Sequence, residues 1–273
     1  MSDPRIIKVS ASALRAYEEC PYKYAMDYIR RLPNTQRAPV PIFAVGNAVH
    51  QTLAEFSKKG GRSQVDRDEI ASMLMQNWDS RPFRDPDEEL AHFHRAKAMV
   101  ESFHDKPYPG KVAQELGIEK YVAWSRPRNG VIAVGRLDRV CLLEDGTLEV
   151  VDYKTGSRVI EEEALEKEYQ ALFYRTLVAQ QFPRIKPKSI RVTFHYLATG
   201  RSVSVEYQHE EFQEWWGGVE FAAERIRQAI REHEEGAPIE VAFPRRRGDR
   251  CRACPMQLHC SEVVLDRRLG ANS

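Results

Sequence analysis

The chain has 273 residues, enough for one sizeable core, so a single domain or a domain with an elaboration is expected. A hydrophobic fraction of 42% beside a charged fraction of 30% excludes a membrane-embedded or a disordered chain. The formal net charge is only +1, so no global field calls for a nucleic-acid partner and local groups must carry any such argument.

The opening Met1-Ser-Asp-Pro-Arg5 lacks the apolar core of a signal peptide, and no apolar run reaches membrane-spanning length. A cytoplasmic protein without a membrane partner is expected. Five cysteines, an odd number, do not suggest a disulfide framework in a reducing compartment. No Gly-x-x-x-x-Gly-Lys-[Ser/Thr] phosphate loop occurs, so a helicase motor is not in this chain.

A short β-like run at 6–9 leads to Ser10, a plausible helix cap. Leu14, Tyr17, Tyr24 and Tyr28 follow at helical spacings, interrupted at Cys20-Pro21, and read first as core packing. Residues 32–41 read as a loop, and a helix is predicted over 42–59 with His50 inside it. A lone helical histidine is ordinarily a packed or surface residue. Two helices joined near 82–86 are expected between 66 and 103, an insertion of about 66–105 that covers the core. Its histidines, His92, His94 and His104, suit no compact ligand set. A first strand is predicted over 117–124, where Glu119 reads as well as a solvent-facing strand residue as a site acid, and residues 126–130 make the next turn.

The stretch 135–156 organises the rest. Two apolar β-type runs, 140–143 and 148–151, flank Glu144-Asp145-Gly146, with Gly146 available for a positive φ in a three-residue loop. If Leu143 pairs with Thr147, Asp138 falls opposite Asp152. Alternation puts Asp152 and Lys154 on one strand face, with Tyr153 on the other. Two carboxylates and an ammonium then share one spot, either an exposed surface pair or a divalent-metal site for phosphodiester cleavage.

A helix is predicted over 161–181, with Leu165, Tyr169, Leu172, Phe173 and Leu177 as its core stripe and Gln170 and Tyr174 on one face. A second hairpin, 190–197 with 202–207, turns at Thr199-Gly200, and a helix over 210–233 follows, which gives a mixed α/β layer architecture. Near the end, Cys251-x₂-Cys254-x₅-Cys260 is a strong metal signal with three ligands. The fourth could be His259, Cys141 or Cys20, and a zinc site is the local reading. The run Arg245-Arg246-Arg247, with Arg250 and Arg252, is a solvated tail or a track for phosphates.

Taken together, the motifs resemble the RecB-type branch of the PD-(D/E)XK nuclease superfamily. Gly135-x-x-Asp138 and Asp152-Tyr-Lys-Thr-Gly156 stand for its acidic and lysine motifs, Gly46-x-x-x-His50 for its helical metal ligand, and Gln170-x-x-x-Tyr174 for the motif after the lysine. Ser12-x-Leu14-x-x-Tyr17-x-x-Cys20-Pro21 looks like the opening of members with an iron–sulfur cluster. The resemblance spans 12–260; 66–103 carries none of the motifs.

The resemblance implies a single domain over 1–273 with a restriction-endonuclease-like α/β fold. A mixed central sheet is flanked by helices, and a metal cluster clasps segments 12–30 and 245–262. It implies Mg²⁺ or Mn²⁺ on Asp138, Asp152 and His50, assisted by the Tyr153 carbonyl. Lys154 is then the catalytic lysine, and Gln170 and Tyr174 orient it or contact the DNA backbone. Cys20, Cys251, Cys254 and Cys260 would hold a [4Fe–4S] cluster, as in AddB-type and CRISPR-associated nucleases, with Zn²⁺ as the alternative. The implied activity is a DNA exonuclease for end processing, repair or recombination, working with a separate helicase or other repair proteins. Two alternatives are a spacer-processing CRISPR-associated nuclease and a non-catalytic DNA-binding subunit of a helicase–nuclease complex.

Overall fold

A computed structural model describes residues 6–33, 40–106, 111–126, 130–166, 168–182, 184–207 and 212–260. The chain divides into two units, residues 1–40, 126–132 and 216–273 in the first, and 41–125 and 133–215 in the second.

In the first unit, β1 (Ile7–Val9) pairs with the start of β3 (Val131–Leu143), and the Ile7 N–H donates to the Gly130 carbonyl at 2.8 Å. The expected cap is present: Ser10 Oγ accepts from the Ala13 N–H at 3.1 Å and opens α1 (Ala11–Glu19). Cys20 adopts an extended backbone that ends α1, and Pro21 starts α2 (Pro21–Tyr24), so the predicted interruption falls where Cys20-Pro21 sits. A π turn, Ala25–Ile29, continues the chain. Tyr17 meets Tyr24 edge-on at 5.5 Å and Tyr24 stacks on Tyr28 at 5.0 Å, so the aromatic stripe packs internally. The helices α8 (Phe212–Glu234) and α9 (Ile239–Ala242) lead to the last described turns.

The second unit is built on a sheet in the order β2-β3-β4-β5-β6, with β2 (Val112–Arg126), β4 (Leu148–Lys154), β5 (Ile190–Tyr196) and β6 (Arg201–Tyr207). The β4–β5 pair is parallel, while β3–β4 and β5–β6 are antiparallel, so the sheet is mixed. Gly146, at φ 89°, closes the β3–β4 turn, and the Leu143 N–H donates to the Thr147 carbonyl at 2.9 Å. Arg139 pairs with Val151, so one step further Asp138 stands opposite Asp152, the expected register.

The helices α3 (Pro41–Lys58), α4 (Arg67–Gln76) and α5 (Pro86–Asp105) share one apolar core with Val151, Tyr153 and Leu197. On the opposite face lies α7 (Tyr169–Gln181). It approaches β3 closely: a Cβ on Gly135 would come within 2.7 Å of Leu177 Cδ1. The single helix expected over 161–181 is instead α6 (Glu162–Glu166) and α7, because Glu168 is extended. Residues 127–129, in the turn expected at 126–130, lie outside the described residues. Among the described residues, no helix is long and apolar enough to cross a membrane.

Candidate active site

The β3–β4 hairpin delivers Asp138 and Asp152, and its neighbours complete two linked clusters. In the first, His50 on α3 places Nδ1 3.3 Å from Asp138 Oδ2 and 4.0 Å from Glu119 Oε1. Among the described residues, His50, Glu119 and Asp138 are the one trio of such side chains whose ligand atoms all lie within 4.8 Å of one another. They line a narrow cleft with Leu53, Ser57 and Ile118. The Tyr153 backbone N–H donates to Asp138 Oδ2 at 2.8 Å and fixes that carboxylate. The Tyr153 ring points to the other face, edge-on to Phe103 at 5.2 Å, as strand alternation requires.

Of the two readings open for Glu119, solvent-facing strand residue or site acid, the structure favours the second, since its carboxylate faces His50 and Asp138. Its backbone has φ 51°, a left-handed conformation within a 15-residue strand. A non-glycine residue there is strained, and such irregularities in strands re-aim side chains near functional sites. Gly117, two residues earlier, was the available signal, since a glycine inside a strand pattern marks a bulge. Burial and the neighbouring Asp138 charge raise the Glu119 pKa above the usual carboxylate range, against the opposing pull of His50 and Arg136. Burial alone would lower the His50 pKa. The hydrogen bond to Asp138 and the charges of Asp138, Asp152 and Glu119 override it, and the imidazole is raised to about 9.

The second cluster surrounds Asp152. Lys154 Nζ lies 2.6 Å from Asp152 Oδ2 and donates to Gln170 Oε1 at 2.6 Å. Asp152 Oδ1 accepts from Tyr174 Oη and from Gln170 Nε2, each at 2.8 Å. The ammonium also sits 4.0 Å from the centre of the Phe194 ring, a cation–π contact. Burial raises the Asp152 pKa, with Lys154 pulling it back and Asp138 adding to the rise. The structure thus brings Asp138, Asp152, Lys154, Gln170, Tyr174 and His50 together. Phe194 and Glu119 join them without having been counted as site residues.

The profile of the PD-(D/E)XK nuclease superfamily matches residues 8–261. The chain belongs to that superfamily. As a PD-(D/E)XK nuclease it is expected to use a divalent metal, and the trio offers two carboxylates and one imidazole, a donor set suited to a hard or borderline cation. A search of curated proteins finds no match.

In the first unit of this PD-(D/E)XK chain, the segments carrying the cysteines meet. Tyr22 Oη donates to the His259 carbonyl at 3.1 Å, Arg246 donates to the Glu18 carbonyl at 2.6 Å, and the Arg245 guanidinium lies 4.1 Å from the centre of the Tyr22 ring. Arg250 pairs with Glu19. Three of the five arginines read as a possible phosphate track are therefore engaged in holding the chain ends together. Cys20, Cys251, Cys254 and Cys260 are half-buried thiols. Burial raises the Cys254 pKa, and Cys20 and Cys251 are near enough to add to it. Among the described residues, no three cysteine sulfurs converge within 4.8 Å. Cys141 is fully buried on β3, and burial pushes its thiol up to about 12, the signature of an inert packed cysteine.

Proposed function

We propose that this chain is a RecB-type, Mg²⁺- or Mn²⁺-dependent DNA exonuclease acting in DNA end processing. The observation that carries the reading is the joining of the His50–Glu119–Asp138 trio to the Asp152–Lys154 pair across one hairpin. His50, Glu119 and Asp138 would hold the cation, with Asp152 and the Tyr153 carbonyl beside them. When bound, a divalent cation polarises a phosphate oxygen and lowers the pKa of a bound water.

The protein's own groups supply the rest. Lys154 stabilises negative charge developing on the phosphate oxygens. Gln170 and Tyr174 donate to Asp152 and hold both strand residues in register. These donors and the Tyr153 amide fix the acids before substrate arrives, so less reorganisation is needed at the reacting phosphate. A non-catalytic subunit would have no use for this arrangement. A helicase or another DNA-repair protein is the partner that end processing would call for.

The four cysteines are read as a [4Fe–4S] clasp, in line with their motifs and with the contacts that join the Tyr22 and His259 segments. Zn²⁺ held by the same thiolates is the alternative, since soft sulfur ligands accept either metal.

The test of the activity is a timed digest of end-labelled linear and of circular DNA, single- and double-stranded, with Mg²⁺ or Mn²⁺. Progressive loss from the ends with circles left intact is expected. Circles cut as fast as linear strands would make the protein an endonuclease.

A further inference from the structure

Ile42 and Phe43 open α3 with their side chains in water, 57% and 56% exposed. A single exposed apolar residue is ordinary, but an adjacent pair marks a surface that meets something. Phe43 precedes His50 by seven residues on the same helix. At 3.6 residues per turn, the two side chains lie within about 20° of each other around the axis and about 10 Å apart along it. Gly46 and the exposed Asn47 lie between them on the same side. A Cβ on Gly46 would stand 3.7 Å from Thr155 Oγ1, so this stretch of α3 passes over the end of β4 directly after Lys154. One helix stripe therefore runs from the metal trio, past the catalytic strand's end, to a solvent-facing aromatic ring.

We propose that Phe43, flanked by Ile42, is a stacking platform for a nucleobase of the substrate strand beside the scissile phosphate. The inference rests on the nuclease reading and names what that site holds besides the phosphate. A stacked strand rises about 3.4 Å per nucleotide, so the ring meets a base up to about three nucleotides from the cut, and fewer in an extended strand. Every base has a π-face, so such a platform grips without sequence preference. It takes an unpaired base more readily than one stacked in a duplex, which directs the site toward single-stranded ends.

The test uses the full chain and single-stranded oligonucleotides with an abasic site, or 2-aminopurine, walked through the three positions on either side of the cut. Phe43→Ala is expected to raise KM roughly five- to a hundredfold with kcat changed less than about twofold, and Phe43→Trp to retain tight binding. An abasic site at one position should weaken wild-type binding to the level of Phe43→Ala and have no further effect on that variant. A Phe43→Ala variant with wild-type KM, or one weakened by every abasic substitution as much as wild type, would overturn the platform. A wild type that cuts nothing would strike the nuclease reading instead. The platform is then decided by 2-aminopurine fluorescence in the Lys154→Ala background, where the strand stays intact. Quenching that Phe43→Ala abolishes supports stacking; emission that does not depend on Phe43 refutes it.

Discussion

The Lys154 ammonium lies 2.6 Å from Oδ2 of Asp152, two residues away on the same face of β4. The Asp152 side chain is only 4% exposed, so this is no surface pair. A buried carboxylate is tolerated when its oxygens are matched, and here Lys154, Gln170 and Tyr174 match them. Phe194 lies beneath the ammonium and makes its place less dependent on water. The arrangement keeps one fixed cation beside the acids, at the position where charge develops on a phosphate.

Glu119→Gly separates strain from function. A left-handed non-glycine residue costs about 1 kcal/mol or more, part of which the greater freedom of glycine in the unfolded chain offsets. Removing a half-buried carboxylate beside Asp138 also relieves repulsion. The metal-free variant should be about 1 kcal/mol more stable in urea melts with chelator present, and it should need about tenfold or more metal for half-maximal cutting. Lower stability together with an unchanged metal requirement would remove Glu119 from the site.

The His50 pKa gives the metal dependence a direction. In the metal-free site the imidazole keeps its proton until about pH 9, and a metal ligand must be deprotonated. Below that pH each binding event releases a proton, so apparent metal affinity should rise with pH by up to about tenfold per unit and level off near 9. Metal titrations of wild type at pH 6.5, 7.5 and 8.5 check this. His50→Ala should bind more weakly throughout and lose most of the slope, whereas a slope equal to wild type would assign the proton elsewhere.

Protein purified without oxygen should be brown and contain about four irons per chain. Cys20→Ala, Cys251→Ala, Cys254→Ala and Cys260→Ala should each lose the colour and much thermal stability. Closing a loop of this span is worth roughly 5 kcal/mol on the chain-entropy account. Cys141→Ala should keep the colour. A colourless protein with one zinc, or a stable and active Cys20→Ala variant, counts against the cluster.

The catalytic hairpin was legible because its determinants are local. A three-residue turn with Gly146 sets the register, and alternation then decides that Asp152 and Lys154 share a face. The position of His50 was available only from the motif it resembles, since helical spacing alone does not say what a face meets. Glu119 stayed undecided between site and solvent because alternation along β2 fails at one left-handed residue, with Gly117 as its sole local sign. The intrachain contacts of Arg245, Arg246 and Arg250 were illegible for a different reason. Their partners, Glu18, Glu19 and Tyr22, lie more than two hundred residues away, and periodicity carries no information at that range. The break before α7 depends on the extended Glu168, in a stretch whose composition reads as continuous helix.

Cleavage by Lys154→Ala, compared with wild type on the same end-labelled DNA at saturating Mg²⁺ and Mn²⁺, tests the central claim most directly. Asp152→Asn serves as the companion variant. The account predicts that Lys154→Ala folds and binds DNA like wild type but loses cleavage by at least about a hundredfold, the scale of one transition-state charge contact. Asp152→Asn should lose cleavage and bind metal more weakly. Near-normal cutting by a folded Lys154→Ala protein would contradict the assignment of this hairpin as the catalytic centre.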